Sequence, residues 1–355
     1  MPSVSLYERL VAGGARPGEY CGAPAVAAFA DVAAEFAALR DACGVFCASW
    51  HARFVVTGPD RVRWLNGMVT NNIRDLETGR GAYCFVLNPQ GRIQGDLYCW
   101  NRGDYLLLET DQAQAPRLHE LFVRYIVMDD VEITDISGQL VSIGLSGAAA
   151  AGVLARCGMA AQLAPLELRD QSSGGMDITL ARTDAEVAPE FELWMLADDA
   201  PAAWDALTGA GAQPAGSEAY EMLRVWSGRP RMGADIRERD LPQETGQQRA
   251  LNFSKGCYVG QEIVERIRSR GQVHRQFTGF ILEGSLPVPG LRFQAGDRDV
   301  AELTSVAEVP GELHSRMKVA LGYARGDMAA PGTLLESNGT RARVTDLPFR
   351  KDMHV

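Results

Sequence analysis

The sequence predicts an α+β chain built in two parts. Up to about residue 271, apolar strand-like runs alternate with segments of helical period. After Gly271 the texture changes to short apolar stretches separated by Gly, Pro, Asp and Asn turns, the spacing of a small antiparallel barrel or sandwich. At 355 residues, with 46% hydrophobic and 23% charged positions, the chain has an ordinary globular composition and is too long for one simple core.

In order, residues 25–40 predict the first helix, with Phe29, Val32, Phe36 and Leu39 on one face and Asp31, Glu35 and Arg40 off it. Arg53–Thr57 reads as a strand closed by Gly58-Pro59-Asp60, and Asp60 is placed to cap a short helix around 62–65. Asn66–Asn72 reads as a loop. Tyr83–Leu87 is a strand ending in the turn Asn88-Pro89-Gln90-Gly91. Arg92–Trp100 and Tyr105–Thr110 then form a hairpin that carries Asp96.

A helix at 116–125 follows, then strands around 131–136 and 141–145, an alanine-rich helix at 148–156, strands at 177–182 and 191–196, and a helix at 202–207. Ser217 is placed as the N-cap of a helix running to Trp226, with Gly228 as its stop. From there to Ser254 the chain is rich in Arg, Asp, Pro and Gly. It reads as a long irregular connection, and connections of that length are often functional. Phe277–Leu282, Leu291–Gln294, Ala301–Val306, Lys318–Tyr323 and Ala342–Val344 are the expected barrel strands.

The balance of 35 Lys+Arg against 45 Asp+Glu, a net charge of −10, argues against a broad nucleic-acid surface. No apolar run reaches membrane-span length, and residues 1–20 lack the pattern of a secretory signal. Seven cysteines, an odd number with no Cys-x-x-Cys pair, argue against a zinc site and for a reducing, cytoplasmic setting.

The chain converges on Lys255-Gly256-Cys257-Tyr258-Val259-Gly260-Gln261-Glu262. The glycines allow a sharp turn or close approach. Ile263 and Ile267 share one face of a following helix, and Glu262 and Arg266 another. A cysteine entering a helix beside Lys255 is expected to have a lowered thiol pKa, which makes Cys257 a candidate reactive group. The competing reading is a small buried hydrophobe.

This run resembles the signature of the YgfZ family of folate-binding proteins, within the superfamily of the glycine cleavage T-protein, an aminomethyltransferase. Asp240-Leu241-Pro242-Gln243-Glu244 and Arg270-Gly271-Gln272-Val273-His274-Arg275 resemble the segments that flank that signature. Val56–Asp60 with Trp64–Gly67 and Thr70-Asn71, and Leu87–Ile93 with Asp96-Leu97, are similar to the superfamily's N-terminal blocks. The resemblance implies mixed subdomains arranged around a central hole, then a C-terminal β-barrel. The expected division is an N-terminal extension, 1–24, a folate-binding region, 25–271, and a barrel domain, 272–355.

The same resemblance implies a tetrahydrofolate or one-carbon-derivative cofactor and a set of site residues. Asp96 stands in a block whose carboxylate contacts folate, although the chain has Gly95-Asp96 where two adjacent Asp are common. Glu192 matches a glutamate that reads the pterin ring; the alternative is an exposed strand glutamate. Arg224 matches an arginine of Arg-x-Glu-x-Gly, with Trp226 in place of the glutamate, and either holds a folate carboxylate or caps its helix. Cys257 and Lys255 would carry the thiol chemistry.

The implied function is that of an accessory protein for assembly or repair of iron–sulfur clusters in client enzymes, including tRNA-modifying ones, with cluster clients or assembly proteins as partners. The alternative is a tetrahydrofolate-dependent aminomethyl- or methyltransferase. Cys257 alone cannot ligate a cluster, which takes about four cysteines. Arg266, Arg268, Arg270 and Arg275 form a local basic patch, read as a seat for a folate polyglutamate tail or as a solvated helix face.

Overall fold

The computed structural model describes residues 5–271, 273–311 and 315–351. Residues 1–4 of the expected N-terminal extension and Gln272 of the flanking segment lie outside the described residues, as does the side chain of Arg270. The chain divides into two compact units. The first takes its described residues from Met1–Gly67, Asn71–Cys84 and Leu97–Tyr220, and the second from Met68–Thr70, Phe85–Asp96 and Glu221–Val355.

In the first unit a six-stranded sheet has the order Leu168–Ser173, Met176–Arg182, Glu190–Leu196, Leu140–Ser146, Gly44–Cys47 and Gln213–Pro214. It is antiparallel except for the last pair, which is parallel. The helices Ala150–Arg156 and Ala200–Gly209 bury Val153, Leu154, Trp204 and Leu207 in a core with Ile143, Leu145, Ile178, Leu180 and Leu193 of the sheet. A second sheet, of five strands, has the order Gly81–Leu87, Ile93–Asn101, Leu106–Asp111, His51–Thr57 and Glu132–Asp135.

The second unit contains an antiparallel sheet of six strands in the order Arg292–Ala295, Arg298–Pro310, Arg316–Arg325, Arg275–Glu283, Thr340–Thr345 and Leu334–Ser337. Its two edge strands touch, so the sheet nearly closes on itself. Phe280, Leu282, Phe293, Leu303, Ala320, Leu335 and Val344 fill the interior. The α+β expectation with a terminal barrel therefore holds. Five barrel strands were expected; the sixth, Leu334–Ser337, has an exposed Leu334, so apolarity does not mark it.

Other expectations change. The helix predicted over 25–40 is only Val32–Asp41, capped by Asp31, whose carboxylate accepts from the Ala34 amide at 3.2 Å. Ala23–Ala28 is instead a strand paired with Arg16–Tyr20, because cross-strand hydrogen bonding overrides the helix propensity of alanine. Glu35 is buried rather than solvent-facing. Its carboxylate accepts from the amides of Phe29, Ala30 and Gly216 at 2.7, 2.6 and 2.8 Å. The loop expected at 66–72 begins late, since the helix Arg61–Met68 runs through Asn66 and Gly67.

Candidate functional site

In the second unit, four segments far apart in sequence meet around Lys255–Glu262. Lys255 is buried; its Nζ donates to the Val69 carbonyl at 2.6 Å and lies 5.0 Å from the centre of the Tyr258 ring. Thr70, next in line, donates from Oγ1 to the Ala250 carbonyl at 2.6 Å and accepts from the Phe85 amide at 2.9 Å. The turn at 88–91 presses on the start of the signature helix. A Cβ on Gly260, which has φ 82°, would meet the Asn88 carbonyl oxygen at 2.5 Å, and one on Gly91 would meet the Ile263 Cβ at 2.8 Å. Both glycines are there for close approach.

The Asp240–Glu244 segment secures the same region from another side. The Gln243 side-chain amide donates to the Val264 carbonyl at 2.8 Å, and the Asp240 carbonyl accepts from the Ile93 amide at 3.1 Å. Asp240 is fully buried and, with Glu244, accepts from the Arg275 guanidinium, which lies 4.4 Å from the Tyr323 ring centre. The flanking segments quoted from the sequence are thus the struts of the signature.

Between these anchors Gly256 and Cys257 are exposed, while Lys255 and Tyr258 on either side are buried. Cys257 is the one exposed thiol of seven; five others are buried and Cys157 is half-buried. Burial lifts the Cys43 and Cys47 thiols to about 11, leaving them largely protonated at neutral pH. The reading of Cys257 as a packing residue is therefore set aside. So is the helix-entry argument: the helix is Gln261–Arg270 with Gly260 as its cap, so Cys257 stands outside it. Gln261 closes the loop by accepting from the Tyr258 amide at 3.3 Å. Burial raises the Tyr258 phenol to about 12, with a further push from Glu265, so it remains protonated. Glu262 is exposed at the first turn of the helix.

Arg224, at the end of the helix Ser217–Trp226, is buried and uses its whole guanidinium internally. Nε donates to Glu221 at 2.8 Å; Nη1 donates to the Arg229 carbonyl and Asp235 at 2.5 and 2.7 Å; Nη2 donates to Glu221 and Ser305 at 2.7 Å each. An arginine has five N–H donors, so none is left for a folate carboxylate in this arrangement. Asp96 lies half-buried on the strand Ile93–Asn101, on the same face as Gln94 by strand alternation.

In the basic patch, Arg268 pairs with Glu265 at 3.6 Å and covers the Phe253 ring at 4.4 Å, while Arg275 is drawn inward to Asp240. Two of the four arginines are thus paired, and Arg266 is exposed.

Glu192 belongs to a polar cluster buried in the first unit. Its Oε2 accepts from Trp194 Nε1 at 3.0 Å and from Arg53 Nη2 at 3.3 Å, and its Oε1 is 3.3 Å from His51 Nδ1. Arg53 also donates to Glu109 and, at 2.6 Å, to Ser142, and stacks 4.8 Å over the Trp194 ring. Glu192 is thus not an exposed strand glutamate. His51, Glu109 and Glu192 lie close enough together to suggest a metal site, but the Arg53 cation supplies the positive charge there. The sequence reasoning passed over His51, Arg53 and Glu109. Their signal was a charged residue inside an apolar strand, Arg53 before Phe54-Val55-Val56 and Glu109 after Leu106-Leu107-Leu108.

Burial alone would lower the His51 imidazole, but Glu192 and Glu109 reverse this and lift it to about 9. Burial would raise Glu192, but His51 and Arg53 hold it at about 2. Glu109 is raised by burial and by the Glu192 charge. A histidine raised from 6.5 to about 9 gives stability that is complete below pH 6.5 and is lost as pH climbs to about 9. Urea midpoints should therefore fall over that window by an amount equivalent to roughly 3 kcal/mol, and His51→Gln should flatten the fall. Glu192, depressed from 4.5, acts oppositely: its contribution is complete above pH 4.5 and lost towards pH 2.

Comparison with known proteins matches the family model "GCVT N-terminal domain" to residues 6–255. An aminomethyltransferase of Rubrobacter xylanophilus is 28% identical over 97% of this chain and 93% of its own length. An aminomethyltransferase of Thermus thermophilus is 28% identical over 98% of this chain and 99% of its own. The crystal structure of the glycine cleavage system aminomethyltransferase T from Bartonella henselae superposes with a TM-score of 0.87 at 21% identity, covering 99% of this chain and 98% of that one, which establishes the fold. With its two-unit α+β architecture and near-closed barrel, the chain belongs to the GCVT N-terminal domain family.

Proposed function

We propose that this protein is a tetrahydrofolate-binding member of its family, of the YgfZ type, that supports assembly or repair of iron–sulfur clusters in client enzymes, tRNA-modifying ones among them. The observation that carries this reading is the placement of Cys257. The chain's one exposed thiol sits inside the family-like signature, on a short loop pinned by the buried Lys255 and Tyr258. A thiol presented this way acts on something outside the protein, such as a client cluster, a partner cysteine or an oxidised intermediate. Lys255 acts in this scheme by positioning the loop through Val69.

Two buried groups of the first unit support the folate part of this reading. Glu192 is an ionised acceptor suited to adjacent ring N–H groups, and Arg53 Nε is buried without a hydrogen-bond partner, leaving a donor for a ring acceptor. Tetrahydrofolate, when bound, supplies a one-carbon carrier. The chain's own contribution in this unit is to orient the ring through Glu192. Arg224 is a positioning residue that holds its helix to Asp235 and Ser305.

A second reading, a tetrahydrofolate-dependent aminomethyl- or methyltransferase, is favoured by whole-length similarity to proteins named aminomethyltransferases. Complementation separates the two. In a YgfZ-deficient strain, the wild-type gene should restore iron–sulfur enzyme activities and Cys257→Ala should not, although that variant still folds and binds tetrahydrofolate. Full rescue by Cys257→Ala, together with turnover of an aminomethyl donor by the purified protein, would decide for the transferase. In the native protein, one thiol per chain should react rapidly with a disulfide reagent at neutral pH, and Cys257→Ala should remove that phase.

A further inference from the structure

A cleft of about 410 Å³ opens beside the barrel in the second unit. Five arginines and His274 line it, against Glu244, Asp299 and Glu302, so its walls are cationic in a protein whose net charge is −10. Three of the arginines are spoken for. Arg275 is paired with Asp240 and Glu244, Arg292 with Asp299 at 3.0 Å, and Arg239 reaches Glu302 at 3.5 Å.

The other two have no acid among the described residues. Arg92 donates from its side chain only to the Arg239 carbonyl, at 2.5 Å. Arg325 makes no side-chain hydrogen bond or ion pair among the described residues, and its Nε is shielded from solvent without an acceptor. Shielded guanidinium N–H groups are nearly always bonded, so one left open in a cationic cleft points to an absent anionic acceptor. The apolar floor of Val300, Ala301 and Tyr323 would strengthen the attraction by keeping water away. The volume is that of a small-molecule site and too small for a nucleic-acid duplex.

We propose that this cleft binds a small oxyanion bearing at least two negative charges, a phosphate compound or an oligocarboxylate, through the guanidinium groups of Arg92 and Arg325. Arg275, fixed by Asp240 and Glu244, is a wall residue of the same cleft. The site requires neither Cys257 nor Glu192 and is independent of the folate reading.

Isothermal titration of the full-length protein with inorganic pyrophosphate and, separately, with citrate at low ionic strength tests this. Binding of either ligand is expected, weakening with added salt. Pyrophosphate alone identifies a phosphate site, and citrate alone a carboxylate site. Arg325→Gln and Arg92→Gln should each lower the affinity about tenfold, and Arg325→Lys should restore part of it. Thermal unfolding close to wild type will show that both Gln variants are folded. Failure of both anions to bind, or wild-type affinity in folded Arg325→Gln and Arg92→Gln, would overturn the proposal.

Discussion

Arg53→Met should destabilise the protein by about 3–5 kcal/mol, the cost of leaving buried charge without its partner. Arg53 is 2% exposed and is the cation shared by Glu109 and Glu192, both of which are also buried. With methionine in its place the two carboxylates face each other in a poorly solvated interior, with only His51 to offset them. One of them would then be protonated in the fold. A raised carboxylate pKa gives stability at low pH that is lost as pH rises, so the deficit should be larger at pH 8 than at pH 5. Arg53→Lys retains the charge but loses the planar fork and the stacking on Trp194, and should fall between the two. Chemical denaturation at both pH values measures this. A methionine variant within 1 kcal/mol of wild type at pH 8 would show that the cluster is not held by its ion pairs.

Arg224→Ala is expected to cost a similar amount, about 3–5 kcal/mol, in the unit that contains the barrel. Asp235 is fully buried, and Arg224 is its only cation among the described contacts; Thr304, Ser305 and the Arg231 amide supply its neutral donors. Removing the arginine strands a carboxylate and also breaks the tie from the helix Ser217–Trp226 to Ser305. A residue whose main task was to hold a folate carboxylate would behave differently. Its removal would leave stability in the absence of ligand unchanged and weaken tetrahydrofolate binding. Unfolding midpoints without ligand, set beside tetrahydrofolate affinity, separate the two cases. Wild-type stability combined with lost affinity would refute the structural assignment of Arg224.

These two arginines show where reading the sequence stops. Arg224 was found as a motif residue, and its place at the end of a helix was legible, but its role was not. Asp235 and Ser305, which consume its donors, are 11 and 81 residues away. Arg53 was invisible in a different way. It sits in a strand recognised by its apolar neighbours, and nothing local says that a glutamate from Leu106–Asp111 and another from Glu190–Leu196 will meet it. Cys257 was read as entering the helix N-terminus, but the helix begins at Gln261, after Gly260 in a left-handed conformation.

The sequence by itself determined the α+β class, the change to a barrel after Gly271, most strand and helix positions, and the signature with its flanking segments. Those are properties of local period, turn chemistry and short-range pattern. Only the tertiary structure decided that Cys257 is the exposed thiol, that Lys255 is a buried strut, that Glu35 and Glu192 lie inside, and that Ala23–Ala28 is a strand. Each of these depends on which distant groups supply hydrogen bonds and displace water. A side chain's burial and charge state are set by such partners, and no window of neighbouring residues contains them.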